Sequence, residues 1–326
     1  MSKPNLLIVC PPEHYVLRNF ESLRDTANVC IGAELAKVEQ QARTADVILY
    51  TGLTGRSVPL REIWPYAKNV KWVHSLSAGV EKMLFPELIE SPVPVTNARG
   101  VFKRPLAEFA VLGILYFYKR VRRLVESQRQ HRWDDFLVDM VPGKVMGIVG
   151  YGEIGRECAL LAHAIGMKIH ALRRNPQRSE DDPIVERVFG PAELKDMLAE
   201  IDVLLAAAPL TDETRHMIGA EQFAVMKPSA IIINVGRGPV IDEAALIEAL
   251  RRKQVGAAAL DVFEHEPLAA DSPLWDMDNV LISPHCTDRT QNPDWLDLSA
   301  QFFVENFQRF LNGQPLENVV DKKAGY

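Results

Sequence analysis

Residues 145–172, VMGIVGYGEIGRECALLAHAIGMKIHAL, decide the fold. A short β-prone run leads into Gly150, Gly152 and Gly155, which stand in the order G-x-G-x-x-G. Ile154, Cys158, Leu161 and Ile165 then recur along one helical face, and KIHAL reads as a second strand. The glycine pattern alone is a weak signal, since a βα turn can be rich in glycine without holding a ligand. Its setting makes it specific. The first glycine permits a tight turn, the second lets backbone approach a pyrophosphate, and the third lets helix pack on strand, with the helix N-terminus facing the anion. The stretch predicts the first βαβ unit of a dinucleotide-binding sheet.

About 20 residues after the glycines such a unit usually presents an acid to the ribose 2′-hydroxyl. Here ALRRNP, residues 171–176, presents Arg173 and Arg174. A carboxylate at that point repels a 2′-phosphate, whereas a guanidinium binds it with charge-assisted hydrogen bonds. The arginines therefore predict NADP(H) as cofactor. The competing reading makes both of them solvated loop residues and leaves NAD(H) possible.

Outward from this unit, β-rich runs alternate with helical ones, the pattern of α/β architecture with parallel sheets. VMGIVG, KIHALR, DVLLAAA, AIIINV, AAALDV and VLISPH give six strands of one doubly wound sheet. Before them LLIVC, DVILYT, VKWVHSL and VPVTN form an earlier series. Between the two, a single long helix is expected from Pro105 through PLAEFAVLGILYFYKRVRRLVESQRQHRW, apolar all round at first and basic later. The last segment, from about residue 289, is too short to fold alone and is expected to return to the first domain. At 326 residues, two domains are the natural expectation. Their expected limits are 1–101 with 288–326, and 102–287.

The composition, 47% hydrophobic and 25% charged, is that of an ordinary globular protein. A net charge of −6 argues against nucleic acid as a partner. The N-terminal apolar run is too short for a signal sequence, and the longest apolar stretch, FAVLGILYFY, is about half of what a bilayer needs. A cytoplasmic protein with no membrane partner is expected. Cys10, Cys30, Cys158 and Cys286 show neither disulfide nor metal spacing, so no metal is expected.

Three later stretches each close a strand: AIIINVGRGPVIDE, AAALDVFEHEP and VLISPHCTDRT. Ligands of open α/β sheets bind beyond the carboxyl ends of the strands, so Arg237, Asp261, Glu266 and His285 are expected to converge there. Arginine grips a carboxylate in a fork, histidine exchanges a proton near neutral pH, and a carboxylate orients the histidine. The set suits hydride transfer to a 2-oxo acid. His265 is the nearer rival in sequence and reads as solvated, and Glu264 is the alternative partner for His285. His74 and His163 carry no partner pattern and read as structural or surface residues.

Over nearly its whole length the sequence resembles the D-isomer-specific 2-hydroxy acid dehydrogenases, and specifically their glyoxylate/hydroxypyruvate reductase branch. GIVGYGEIG, APLTDETRHMI, INVGRGPVIDEAAL, ALDVFEHEPL and SPLWDMDNVLISPH carry the likeness, in the family's order and spacing. It implies an α/β fold of two doubly wound parallel-sheet domains, a Rossmann cofactor domain inserted in a flavodoxin-like split substrate domain. It also implies that Arg237 grips the substrate, that Glu266 supports His285, and that His285 protonates the carbonyl oxygen as hydride arrives. Asp261 would meet the nicotinamide amide, and backbone amides of residues 77–80, Ser77, Ala78 and Gly79 among them, would hold the substrate carboxylate. The cofactor set on this reading is Gly150, Gly152, Glu153, Ile154, Gly155, Arg173, Arg174, Pro209, Val235, Gly236 and Asp261. The expected partners are a small 2-oxo or 2-hydroxy acid and a second copy of the chain, joined through the helix from Pro105.

The sequence departs from the family pattern at CTDRT after His285, and at Lys103 and Arg104 after GVF. Both places are expected to border the pocket. Lys103 and Arg104 keep open a phosphoglycerate-type substrate, because they could serve a phosphate. Cys286 beside His285 raises a redox role, for which the sequence shows neither a lowered pKa nor exposure. A non-enzymatic NAD(P)H-sensing, corepressor-like protein is the alternative of another class, and the intact Arg237, Glu266 and His285 set speaks against it.

Overall fold

The structure, a computed structural model, describes residues 3–52, 57–80, 83–179, 181–291 and 293–325. It divides into two compact units, Met1–Phe102 with Thr290–Tyr326, and Lys103–Arg289.

The first unit holds a five-stranded sheet in the order β2-β1-β3-β4-β5, with β1 Asn5–Val9, β2 Asn28–Gly32, β3 Val47–Tyr50, β4 Trp72–Ser75 and β5 Val95–Asn97. Every pairing is parallel. The apolar runs predict four of these strands and miss β2. NVCIG is an edge strand with its asparagine and cysteine exposed, so it has no continuous apolar run to recognise. The helix Trp295–Leu311 closes one face of this sheet. Leu296, Ala300, Phe303 and Phe307 form its buried stripe, and the Trp72 ring stacks on Phe303 with centroids 5.3 Å apart. Phe303 and Phe307 are fully buried, and each such side chain contributes about 1.5–3 kcal/mol of apolar burial. Asp294 caps the helix by accepting from the Leu296 amide. His74 on β4 is fully buried beside Thr96 Oγ1 at 2.6 Å, and burial pushes its pKa down to about 3. It is a neutral core histidine.

The second unit holds a seven-stranded parallel sheet in the order β12-β11-β10-β9-β6-β7-β8. The strands are β6 Val145–Val149, β7 Lys168–Leu172, β8 Val185–Phe189, β9 Val203–Ala206, β10 Ile231–Asn234, β11 Ala257–Leu260 and β12 Val280–Ile282. Six strands are expected and the seventh is β8, VERVF. It is an edge strand whose central Glu186 and Arg187 are exposed, and that pattern hides it. The central strands β9, β10 and β11 are buried at every position, as strands covered on both faces must be. From β6 the chain first runs to β7 and β8 on one side, then returns to β9 and continues to β12 on the other. The reversal between β6 and β9 is the point at which doubly wound sheets open a ligand crevice.

Two local expectations are corrected. The single long helix is two, Lys103–Tyr118 and Val121–Arg129. The apolar face that packs on the sheet ends at Tyr118, and Arg120 turns the chain through a left-handed conformation, φ 52°. Within the helix Glu153–Ala164, the fully buried face is Gly155, Cys158, Ala159 and Ala162, whereas Ile154, Leu161 and Ile165 are half-buried. Small residues line the contact because the neighbouring helix and strand approach closely there. Gly113 on the first helix shows the same tightness, since a Cβ on it would lie 2.9 Å from Ala259 Cβ.

Among the described residues no helix is long and apolar enough to cross a membrane, and no group of His, Cys, Asp or Glu is placed to hold a metal ion.

Candidate active site

The register of the second sheet levels its carboxyl edge. Leu172 pairs with Val149, Val149 with Ala206, Ala206 with Asn234, Asn234 with Leu260, and Leu260 with Ile282. Every chemistry-bearing loop therefore leaves the sheet at one height: Gly150 after β6, Arg173 after β7, Pro209 after β9, Val235 after β10, Asp261 after β11 and His285 after β12. The loops also press on one another. A Cβ on Gly150, whose φ is +95°, would lie 2.5 Å from the Ala208 amide nitrogen, and one on Gly236 would lie 3.0 Å from the Ala208 carbonyl oxygen. Only glycine allows these approaches.

At the dinucleotide end, the helix Glu153–Ala164 begins directly after Gly152, its N-cap. Gly155 seats that helix on the turn, since its Cβ would stand 2.3 Å from the Gly150 carbonyl oxygen. A Cβ on Gly152 would meet nothing within 4 Å, so the turn faces open space where a pyrophosphate can approach backbone. Glu153 opens the helix and is exposed, and Ile154 is half-buried. At the end of β7, Arg173 Nη1 donates to Ser179 Oγ at 2.5 Å, and its guanidinium lies over the Tyr151 ring, 6.0 Å from the centroid. Arg174 pairs with Glu213 at 2.7 Å. The residues present fit a dinucleotide, with a glycine turn open to its pyrophosphate and two guanidinium groups at the end of β7.

At the other end, His285 Nδ1 and Glu266 Oε2 are 2.7 Å apart. Glu266 also accepts from the Phe263 amide at 3.1 Å. The choice between the two glutamates is thereby made. Glu264 faces elsewhere, 2.6 Å from His216 Nε2, and it accepts from the Glu243 amide while its own amide donates to the Glu243 carboxylate. His265 is exposed, as expected. The hydrogen bond that the His285 ring donates to Glu266 raises the His285 pKa above its ordinary value, against the opposing effect of burial. Arg237 leaves β10 in an extended conformation, with Nη1 donating to the Gly236 carbonyl at 2.8 Å. Gly238, the next residue, lies directly on the Phe263 backbone, which ties the loop of Arg237 to the loop of Glu266. The expected pair and the arginine thus occupy adjoining loops of one edge.

Sequence reasoning misses Asn234, which fastens the GRG loop. Its side chain accepts from the Gly236 amide and donates to the Arg237 carbonyl, each at 3.1 Å. The signal was present: a polar residue ending the run IIIN must find partners once buried. Ser179, Tyr151 and Glu213, which hold the arginines, are also missed, because nothing in their spacing connects them to residues 173–174. Lys103 and Arg104 stand among carboxylates. Lys103 pairs with Glu153 at 3.4 Å, and Arg104 with Glu108 at 2.9 Å and Glu157 at 3.4 Å. Acidic neighbours already answer both cations. Cys286 is half-buried, with Sγ 3.5 Å from Ser283 Oγ.

In the first unit, Ser77, Ala78 and Gly79 follow the carboxyl end of β4. The Asn97 side-chain amide donates to the Ala78 carbonyl at 2.5 Å, and the Ala98 amide donates to the Ser77 carbonyl at 3.3 Å. A cleft of about 620 Å³ in the second unit lies away from all of this chemistry. Ser229, Ile231, Gly256 and Ala257 in its lining precede or begin β10 and β11, so it opens at the amino edge of the sheet.

A doubly wound dinucleotide sheet with a paired imidazole and carboxylate at its carboxyl edge defines the class of pyridine-nucleotide oxidoreductases. Residues 111–287 match the family described as D-isomer specific 2-hydroxyacid dehydrogenase, NAD binding domain. The chain belongs to that family. It is 34% identical over 298 residues to a glyoxylate reductase of Aeropyrum pernix, covering 87% of this chain and 85% of that one. It is 33% identical over 321 residues to glyoxylate/hydroxypyruvate reductase B of Yersinia pestis, covering 96% and 93%. Among solved structures it resembles the NADPH-dependent glyoxylate/hydroxypyruvate reductase of Sinorhizobium meliloti in complex with NADP and sulfate. There the TM-score is 0.80 at 27% identity, with all of both chains covered.

Proposed function

We propose that this protein is an NADPH-preferring reductase of small 2-oxo acids, glyoxylate and hydroxypyruvate among them, giving the D-2-hydroxy acid where a stereocentre forms. The observation that carries the reading is the 2.7 Å His285–Glu266 pair beside Arg237 at the edge where the glycine turn also ends. The curated relatives of this chain bear glyoxylate and hydroxypyruvate reductase names, and a structural neighbour holds NADP.

A bound reduced nicotinamide supplies the hydride to the carbonyl carbon of the 2-oxo acid. The chain supplies the rest. Arg237 forks the substrate carboxylate and carbonyl, fixing which face of the carbonyl is presented. Protonated His285 gives its proton from Nε2 to the carbonyl oxygen, while Glu266 on Nδ1 fixes the ring orientation and stabilises the imidazolium before transfer. The turn Ser77–Gly79 is assigned to the substrate carboxylate. The backbone of Gly150–Gly155, with Glu153 and Ile154, together with Pro209, Val235 and Gly236, is assigned to the dinucleotide.

Arg173 and Arg174 are assigned to the 2′-phosphate. Each charge-assisted bond is worth about 1.5–3 kcal/mol, and about 1.4 kcal/mol is tenfold in affinity. Steady-state kinetics of the wild type should give a KM for NADPH about two orders of magnitude below that for NADH. Arg173→Ala should raise the NADPH value at least about tenfold and leave the NADH value nearly unchanged. Equal values for the two nucleotides in the wild type would remove the assignment. Oxidation of NADPH with glyoxylate separates an enzyme from a sensor, and the same assay with a phosphorylated 2-oxo acid separates the phosphoglycerate-type alternative.

We further propose a homodimer. Residues 130–141 carry no regular structure and leave Trp133 99% exposed, Leu137 87% and Met140 69%. This segment is nonetheless pinned, because Arg123 donates twice to Asp134, at 2.7 and 2.9 Å, and that ion pair holds the Asp134 carboxyl at about 2. An apolar strip fixed in place and facing water is a surface for a second copy. Light scattering should give twice the chain mass for the wild type and the single mass for Trp133→Asp/Leu137→Asp. A monomeric wild type would refute the dimer.

A further inference from the structure

Asp261 leaves the end of β11 1% exposed. Its carboxylate accepts four hydrogen bonds from one short segment. Ser283 Oγ donates to Oδ1 at 2.7 Å, as do the amides of Cys286 at 3.1 Å and Thr287 at 3.3 Å. The Thr287 hydroxyl donates to Oδ2 at 2.6 Å. Each carboxylate oxygen offers about two acceptor sites, so this segment fully engages Oδ1 and takes one site of Oδ2, and Thr287 alone supplies two of the donors. That bears on Asp261, for which the family likeness implies a contact with the nicotinamide amide.

The segment tied down in this way carries His285, whose φ is +48°. A residue other than glycine holds a left-handed backbone only where its surroundings over-determine it. Here the surroundings are the Asp261 bonds on both sides of the histidine, at Ser283 before it and at Cys286 and Thr287 after it. The His285 amide adds a bond to the Ser283 carbonyl at 3.0 Å.

We propose that Thr287, together with Ser283, is a positioning residue for proton transfer: by fastening residues 283–287 to Asp261 it holds His285 in the backbone conformation that keeps its imidazole on Glu266. The inference deepens the reductase reading and rests on it. It gives a purpose to the first threonine of CTDRT, the stretch that follows the histidine. The charged groups that face His285 are Glu266, Asp261, Arg237 and Asp288. Exchanging the Thr287 hydroxyl for a methyl changes none of their charges, so any change in His285 titration reports its placement.

The test compares Thr287→Val, Thr287→Ser and Ser283→Ala with the wild type. Three quantities are measured: kcat with glyoxylate and NADPH, NADPH affinity by fluorescence titration, and the His285 titration in the cofactor-free protein by NMR of ring-labelled histidine. Thr287→Val should lower kcat about tenfold or more, as a misplaced catalytic group does, with NADPH affinity within about twofold. Its His285 titration should fall toward the ordinary imidazole value, and Thr287→Ser should restore both. Ser283→Ala should move the same quantities in the same direction, which keeps the test open if the valine protein folds poorly. Unchanged kcat and titration in Thr287→Val would overturn the proposal. So would a loss that serine does not restore, or a loss of NADPH affinity with kcat kept, which would tie the segment to cofactor binding and not to His285. If the wild type reduces no 2-oxo acid while the titration still responds to Thr287, the reductase reading fails and the positioning of His285 stands.

Discussion

In His285→Ala, turnover of glyoxylate with NADPH falls at least about 10²-fold, the loss typical of a removed general acid. NADPH affinity stays within about twofold, because the histidine stands at the reacting end. The pH dependence follows from the same pair. Reduction needs the imidazolium, and the Glu266 hydrogen bond raises the His285 pKa above 6.5. Activity is therefore full below that raised value and is lost as pH climbs through it. The stability contributed by the pair has the same sign, present below the unfolded-state pKa and lost on passing the folded one. In Glu266→Gln the alkaline limb of kcat/KM moves to lower pH, so the variant is most impaired relative to wild type on the alkaline side. Stopped-flow or steady-state NADPH oxidation across the pH range checks both variants. A His285→Ala enzyme within threefold of wild type would end the general-acid assignment.

Gly238→Ala should be the most damaging single methyl group in the second unit. The added Cβ would lie 1.9 Å from both the carbonyl carbon and oxygen of Phe263, and 2.6 Å from the Glu264 nitrogen. These are backbone atoms of a chain that is itself tied to β11, so no rotamer change relieves the overlap. The cost is about 3 kcal/mol or more, at or beyond the usual range for overpacking. For a unit of this size that corresponds to a fall of about 6–12 °C in Tm. The loops of Arg237 and Glu266 would part, and kcat should fall at least about tenfold. Gly152→Ala is the control, because its Cβ meets nothing within 4 Å. It should keep its Tm and lose affinity for NADPH alone. Thermal unfolding of the two variants side by side decides the matter, and equal melting temperatures would contradict the packing argument.

The parts of this molecule that were legible in its sequence are those where one strong physical demand dominates. Central strands buried on both faces must be apolar throughout, so β6, β9, β10 and β11 stand out, and a strand-to-helix turn facing an anion must use glycine. In the sequence Glu264 stands as the rival of Glu266, two residues away. The structure separates them because Glu264 is occupied by His216 and Glu243. Two of the four edge strands, β2 and β8, escaped for the opposite reason. β2 and β8 satisfy only one face and one neighbour, so their sequences carry polar residues that loops also carry. Arg120 escaped as well, since a left-handed arginine between two helices has no residue signature such as glycine would give. Thr287 acts through a hydrogen bond to a residue 26 positions away, which no local spacing encodes.

The bond from Ser299 to the Leu76 carbonyl spans 223 positions, and it has a consequence for biosynthesis. At the usual elongation rate of about 5–20 residues per second, the ribosome needs about 10–45 s to deliver the residue that meets Leu76. During that wait Trp72 and the strand face around it lack Phe303 and Phe307, while the intervening 103–289 stretch emerges as one uninterrupted piece. The nascent polypeptide therefore completes its middle before its beginning, and the aromatic surface around Trp72 stays uncovered until Phe303 and Phe307 have been made.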